Sequence, residues 1–153
     1  VAAGMIAGGP RSLLEESERI EGLYEMIRKS FSFLDQGRNP NTVLCTCFAD
    51  LLDILGFSVN VDSCSVCGKK LVSSISIKDG GFLCRKCADR LSVPLRPAQD
   101  LKRFRLLVKG GTANFDVIEK AGGATEEDVR IMVEMIRMHA GSALRSYEFY
   151  KRI

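Results

Sequence analysis

The sequence predicts a mainly α fold, a helical bundle with a small four-cysteine module inserted into it. Three observations carry this. Apolar residues recur at three- and four-residue steps through most of the 153-residue chain. Around the cysteines the pattern switches to alternation with a period of two. Cys64, Cys67, Cys84 and Cys87 form two CxxC pairs, CSVC and CRKC, with sixteen residues between the pairs. That is close to the spacing of a tetrathiolate metal site.

The opening VAAGMIAGGP is apolar and glycine-rich without a basic leader, so it is expected to be a loop or frayed helix and not a signal peptide. Its start at Val1 leads us to expect a piece of a longer chain. Ser12 to Glu15, S-L-L-E, is a capping box that predicts a helix start. Leu13, Ile20, Leu23, Tyr24, Ile27, Phe31 and Leu34 are its expected inward face, and Gly37 with the turn at Asn39–Asn41 its stop. A second helix is predicted from about Asn41 to Leu55, with Leu44, Cys47, Phe48, Leu51, Leu52 and Leu55 inward and Gly56 as its stop. The two read as an antiparallel pair in need of further apolar partners.

Phe57, Val59 and Val61 alternate with polar residues as a strand would. Leu71–Lys78 reads as a strand, Asp79-Gly80-Gly81 as a tight turn and Phe82-Leu83 as the returning strand. CRKCADRL opens a short helix, and Pro94 and Pro97 bracket a connector. Asp100–Lys109 is predicted helical, with Leu101, Phe104, Leu107 and Val108 on one face and Gly110-Gly111 as its end. A short helix follows at Phe115, Val117 and Ile118. Thr125–Asp128 caps the last long helix, with Val129, Met132, Val133 and Ile136 inward, and a turn after Gly141 carries Leu144, Tyr147 and Phe149. The expected division is a helical segment 1–62, a zinc finger 63–91, and a segment 92–153 that packs with 1–62 as one domain. No apolar run approaches the ~20 residues of a membrane span.

Zinc takes four soft or borderline ligands in a tetrahedron. Each CxxC offers two thiolates from one turn. Gly68, directly after Cys67, permits the left-handed backbone that closes such a knuckle. The second pair opens a helix, where the dipole favours thiolate. Knuckle, hairpin and helix start predict a treble-clef or ribbon-like finger with one structural Zn²⁺. Iron suits the same ligands. Free buried thiols and a redox pair are the alternatives, the latter without a thioredoxin-like βαβ context.

Four cysteines leave no open coordination position, so this metal is not expected to catalyse. Cys45 and Cys47, two apart on a helix, point to different sides and read as buried core thiols. The single histidine, His139, reads as a cation at a helix C-terminus or a half-buried core residue. No Ser/His/Asp set can be placed. The glycine pairs lack the Lys-Ser/Thr of a phosphate-binding loop. The expectation is that the protein is not an enzyme.

The net charge of +3 is unevenly spread. Residues 1–63 are net −4, residues 64–109 hold 11 Lys/Arg against 3 Asp/Glu for net +8, and residues 110–153 are net −1. A basic segment between acidic flanks suits a polyanion or an acidic peptide. The candidates are Lys69, Lys70, Lys78, Arg85, Lys86 and Arg90 on the finger, and Lys102, Arg103, Arg105 and Lys109 on the helix after it. Nearby aromatics, Phe82 and Phe104, read as core, which favours backbone contact over base stacking. An ordinary solvated surface is the plain alternative.

The stretch LLDILGFSVNVDSCSVCGK, then IKDGGFLCRKCADR, the Pro94–Pro97 connector and HAGSALRSYEF together resemble the C-terminal part of the bacterial RecO family of recombination and repair proteins. The resemblance covers nearly the whole chain. It implies a helical domain with an inserted finger liganded by Cys64, Cys67, Cys84 and Cys87. It implies a cytoplasmic, nucleoid-associated, non-enzymatic mediator that binds single- and double-stranded DNA, promotes annealing and works with RecR. It further implies contact with the acidic C-terminal tail of single-strand DNA-binding protein. The family's N-terminal OB-fold has no counterpart run of strands before Ser12, so a truncated or shortened relative is expected. The competing expectation is a zinc-stabilised scaffold that holds an acidic partner tail and binds little DNA.

Overall fold

The computed structural model describes residues 2–140, with side chains for 14–139. The described residues form six α-helices and a two-stranded hairpin, in the order α1 (Ala2–Asp35), α2 (Pro40–Ile54), β1 (Ser74–Ser76), β2 (Gly81–Leu83), α3 (Arg85–Arg90), α4 (Ala98–Gly110), α5 (Phe115–Lys120) and α6 (Glu126–Met135). A 3₁₀ turn, Thr112–Asn114, precedes α5, and a π turn, Ile136–Ala140, follows α6. No helix among the described residues is long and apolar enough to cross a membrane. The predicted turn with Leu144, Tyr147 and Phe149 lies outside the described residues.

α2 is the central helix and touches α1, α4, α5 and α6. Asn39 caps it, its side chain accepting from the Asn41 N–H, and Pro40 suits the first helical position. Its buried residues are Thr42, Val43, Cys45, Thr46, Ala49 and Leu52, while Leu44 is exposed. The predicted inward stripe is therefore rotated, because a helix with neighbours on several sides has no single inner face. Small and hydroxyl residues serve the tight approaches. Thr42 receives the Ala124 N–H at 3.0 Å, and Thr46 returns its own hydroxyl to the Thr42 carbonyl at 2.8 Å.

α1 departs further from expectation. The helix begins upstream of the Ser12–Glu15 box, which therefore stands inside it, and Ala2, Ala3 and Ala7 supply strong helix formers there. Ile20, Leu23, Tyr24, Ile27, Phe31 and Leu34 face solvent, while Met26 and Ser30 are the buried residues. Leu13 lies outside the described side chains. α1 packs mainly on α2. That contact uses Gly22, which lies against Ile54, while Phe33 stacks on Phe115 at 4.0 Å.

α6 opens with the expected capping box, Thr125 accepting from the Asp128 N–H and Asp128 from the Thr125 N–H. Its buried face is Asp128, Ile131, Met132 and Met135. Val129 and Ile136 are only partly buried and Val133 is half-buried, because Asp128 turns inward to meet Arg103.

The main core joins α2, α4 and α6 to Val59, Val61, Ile75 and Phe82. The strands are shorter than expected. Leu71–Lys78 contracts to β1, and Phe57–Asp62 keeps one bridge, Asn60 to Gly81. The pairing is antiparallel, with Ser74 opposite Leu83, Ile75 opposite Phe82 and Ser76 opposite Gly81. Gly81 is required by this approach, since a Cβ there would strike the Asn60 carbonyl.

Candidate metal centre and basic surface

The four cysteines converge. Their sulfurs all lie within 4.8 Å of one another, with Cys67 and Cys84 at 3.6 Å. A tetrahedron with Zn–S near ~2.3 Å has edges of ~3.8 Å, so the set fits one ion. None is in a disulfide. Cys64, Cys84 and Cys87 are buried and Cys67 is exposed.

Local backbone explains the convergence. The first pair folds as a knuckle: the Gly68 N–H bonds the Cys64 carbonyl at 2.9 Å, and the Cys64 N–H bonds the Lys69 carbonyl at 2.7 Å. Gly68 takes φ +81°, the conformation its position demands. The Ser65 N–H reaches the Phe82 carbonyl at 2.8 Å, fixing the knuckle to β2. In the second pair Cys84 caps α3 and its sulfur accepts from the Cys87 N–H at 3.5 Å.

Burial resists ionisation of Cys64, yet the N–H groups of Cys67, Cys84 and Val66 outweigh it and bring the thiol down to about 6. The Cys87 N–H also lowers Cys84. Burial, reinforced by the neighbouring sulfurs, pushes Cys87 up to about 12. The four sulfurs in one small space could hold one metal ion. Leu83, Ala88 and Val93 pack around the cysteines as a second cluster.

The other thiols are separate. Cys45 is fully buried in the main core, where burial pushes it up to about 12. Cys47 is half-buried. His139 is half-buried too: its ring stacks on Phe57 at 4.3 Å, with Nε2 2.6 Å from the Ile77 carbonyl.

The basic candidates divide into two sets. Arg103 is internal, its guanidinium donating to buried Asp128 at 2.6 and 3.3 Å and to Asp100 at 3.1 Å. Arg105 and Lys109 both meet Asp62, at 2.9 and 3.0 Å. Lys69, Lys70, Lys78, Arg85, Lys86, Arg90 and Lys102 are exposed and have no carboxylate partner among the described residues. Lys69, Arg85 and Lys86 share one open groove of about 380 Å³ with Leu71, Ser73, Cys84 and Asp89. Lys102 and Arg103 border a second, of about 330 Å³, lined by Leu106, Ile118 and Ala121. Leu71 is 83% exposed, and the strand reading hid that: it lies outside β1.

Residues 11–148 match the family model described as the recombination protein O C-terminal region. The chain belongs to that family. It is 26% identical over 155 residues to the DNA repair protein RecO of a Thermoanaerobacter species, an alignment covering 99% of this chain and 62% of the relative. It is 26% identical over 144 residues to DNA repair protein RecO of Caldanaerobacter subterraneus, covering 92% and 58%. Over 87 residues it is 31% identical to DNA repair protein RecO of Bacillus pumilus, covering 55% and 34%. The chain thus spans about three fifths of the first of these relatives, 62% of its length. No solved structure matches it significantly.

Proposed function

We propose that the chain is the non-catalytic C-terminal region of a recombinational repair mediator that works on DNA in the bacterial cytoplasm, at the nucleoid. In this reading a helical body, residues 1–62 with 92–153, carries a lobe, residues 63–91, fixed by one structural Zn²⁺ on Cys64, Cys67, Cys84 and Cys87. The lobe contacts phosphates of single- and double-stranded DNA without chemistry, and the whole protein anneals strands and loads partners together with RecR and single-strand DNA-binding protein. The observation that carries the reading is the groove where three cations, Lys69, Arg85 and Lys86, converge against one carboxylate, Asp89, with none of the three held in an ion pair among the described residues.

Oligonucleotide titration at rising salt tests it. Binding should weaken linearly on a log–log plot, and Lys69→Gln, Arg85→Gln and Lys86→Gln together should flatten the slope by about 2–3 units. Absence of binding at low salt sinks the reading for this region.

A second reading is supported by the groove beside Lys102, where cations border an apolar floor. That chemistry suits the acidic tail of a protein partner such as single-strand DNA-binding protein. Under it the chain is a scaffold with little affinity for DNA. Titration with an acidic peptide separates the two: peptide capture that Lys102→Glu abolishes, in a chain that does not bind DNA at low salt, supports the scaffold.

A further inference from the structure

α1 shows solvent an apolar seam. Ile20, Tyr24 and Phe31 are 62%, 69% and 64% exposed, and Ile27 and Leu34 each 42%. Positions 20, 24, 27, 31 and 34 step by four and three alternately, the spacing of a coiled-coil seam. The helix also outruns the support that the other described elements give it. At 34 residues it is ~51 Å long, against ~22 Å for the 15 residues of α2. Gly22 already lies against Ile54, the last residue of α2, and residues 14–21 are all exposed. A lone helix in water gains little from its own hydrogen bonds, and a contiguous apolar strip of this kind marks an interface.

We propose that this seam pairs two copies of the chain, α1 against α1, antiparallel. Charge selects both the occupant and the direction. Glu15, Glu16, Glu18, Glu21 and Glu25, against Arg19, make the earlier part of the described helix acidic, while Arg28 and Lys29 follow before Asp35 ends it. An antiparallel copy sets the acidic turn at Glu21 beside the basic turn at Arg28, twice, by the two-fold axis. A parallel copy sets like against like. With Ile20 opposite Phe31 and Tyr24 opposite Ile27, Glu21 flanks the seam beside the other copy's Arg28, and symmetry repeats that pair. Arg28 now meets Glu25 of its own helix at 2.8 Å, an exposed pair that holds it only weakly.

Sedimentation velocity of the full chain over a concentration series tests this. The expected result is a mass that rises toward twice 16.9 kDa. Tyr24→Glu and Phe31→Glu, both at exposed positions, should each give monomers with unchanged helix content by circular dichroism. Glu21→Arg or Arg28→Glu alone should raise the dissociation constant roughly tenfold, and the two together should restore it. A chain that is monomeric at every concentration, its seam covered by another partner or left to solvent, overturns the proposal. So does a dimer that survives both glutamate substitutions. A double charge swap that fails to restore pairing overturns the antiparallel arrangement.

Discussion

β2 has two faces with different duties, and Phe82→Ala should separate them. Phe82 is 2% exposed and belongs to the main core, with its ring 6.2 Å from that of Phe104 on α4. Its neighbour Leu83, fully buried, belongs to the cluster around the four cysteines. Truncating a buried phenylalanine costs about 3–5 kcal/mol, which here includes the aromatic contact with Phe104. At about 2–4 °C per kcal/mol for a chain of this size, a cost near ~4 kcal/mol lowers Tm by about 8–16 °C. The metal site should survive, because the knuckle and the α3 cap are made by backbone that Phe82 does not support with its side chain. Calorimetry gives the first quantity, and the thiolate-to-metal absorption of the Co²⁺-loaded protein gives the second. Leu83→Ala should do the reverse, weakening metal retention more than the melting of the helices. A Phe82→Ala protein that loses Co²⁺ binding while its helices melt as before would refute the two-faced account.

Three further outcomes are expected. Asp128→Ala removes the reciprocal half of the α6 capping box and leaves Arg103 with Asp100 as its one remaining carboxylate, so thermal unfolding should show a loss of about 2–3 kcal/mol, with Arg103→Met in the same protein recovering part of it. Asp50 accepts from Thr112, and burial raises its carboxyl above the ordinary 3.8 despite that bond. A raised folded value means its contribution is greatest below 3.8 and is lost as pH rises through the folded value, so Asp50→Asn should match or exceed the parent Tm at pH 7 while Asp50→Ala falls below it. Arg38 holds Glu119 below its ordinary 4.5, against a weaker opposition from burial. That contribution is present above 4.5 and is lost as pH falls through the lower folded value, so Arg38→Met should flatten the acid limb of a Tm-against-pH curve.

What the sequence made legible follows the range of the forces involved. The ligand quartet, the α6 capping box, the Gly110-Gly111 stop and the hairpin turn are local signals, set within a few residues, and the structure has them. The helix faces were less legible because burial depends on distant neighbours. Leu44 is apolar and exposed, while Thr42 and Thr46 are polar and buried, because α2 is enclosed on several sides and its close contacts favour small residues. The α1 stripe was read as core from its periodicity alone, but periodicity says only that one face is apolar and not what will cover it. The Arg103–Asp128 and Asp62–Arg105 pairs, 25 and 43 residues apart, left no local pattern to read.

Those long-range pairs change how the charge of residues 64–109 acts. As a sequence it is one basic block. In the fold, Arg103 is drawn into the α4–α6 contact by Asp128, and Arg105 and Lys109 are drawn to Asp62 at the entry to the cysteine module. These three tie the helical body to itself and to the lobe. Lys69, Arg85 and Lys86 sit instead around the four cysteines, in a groove that Asp89 also lines, and none of the three forms an ion pair among the described residues. A cation already hydrogen-bonded to a carboxylate must break that bond to serve a phosphate, whereas an unpaired one gives up only water and counterions. If the proposed DNA contact is right, these unpaired cations are the ones that serve it, and metal removal should abolish the contact without touching the pairs that hold the helices. Chelation followed by DNA titration reads this directly: binding that persists at the same salt slope after the metal is removed would return the contact to α4.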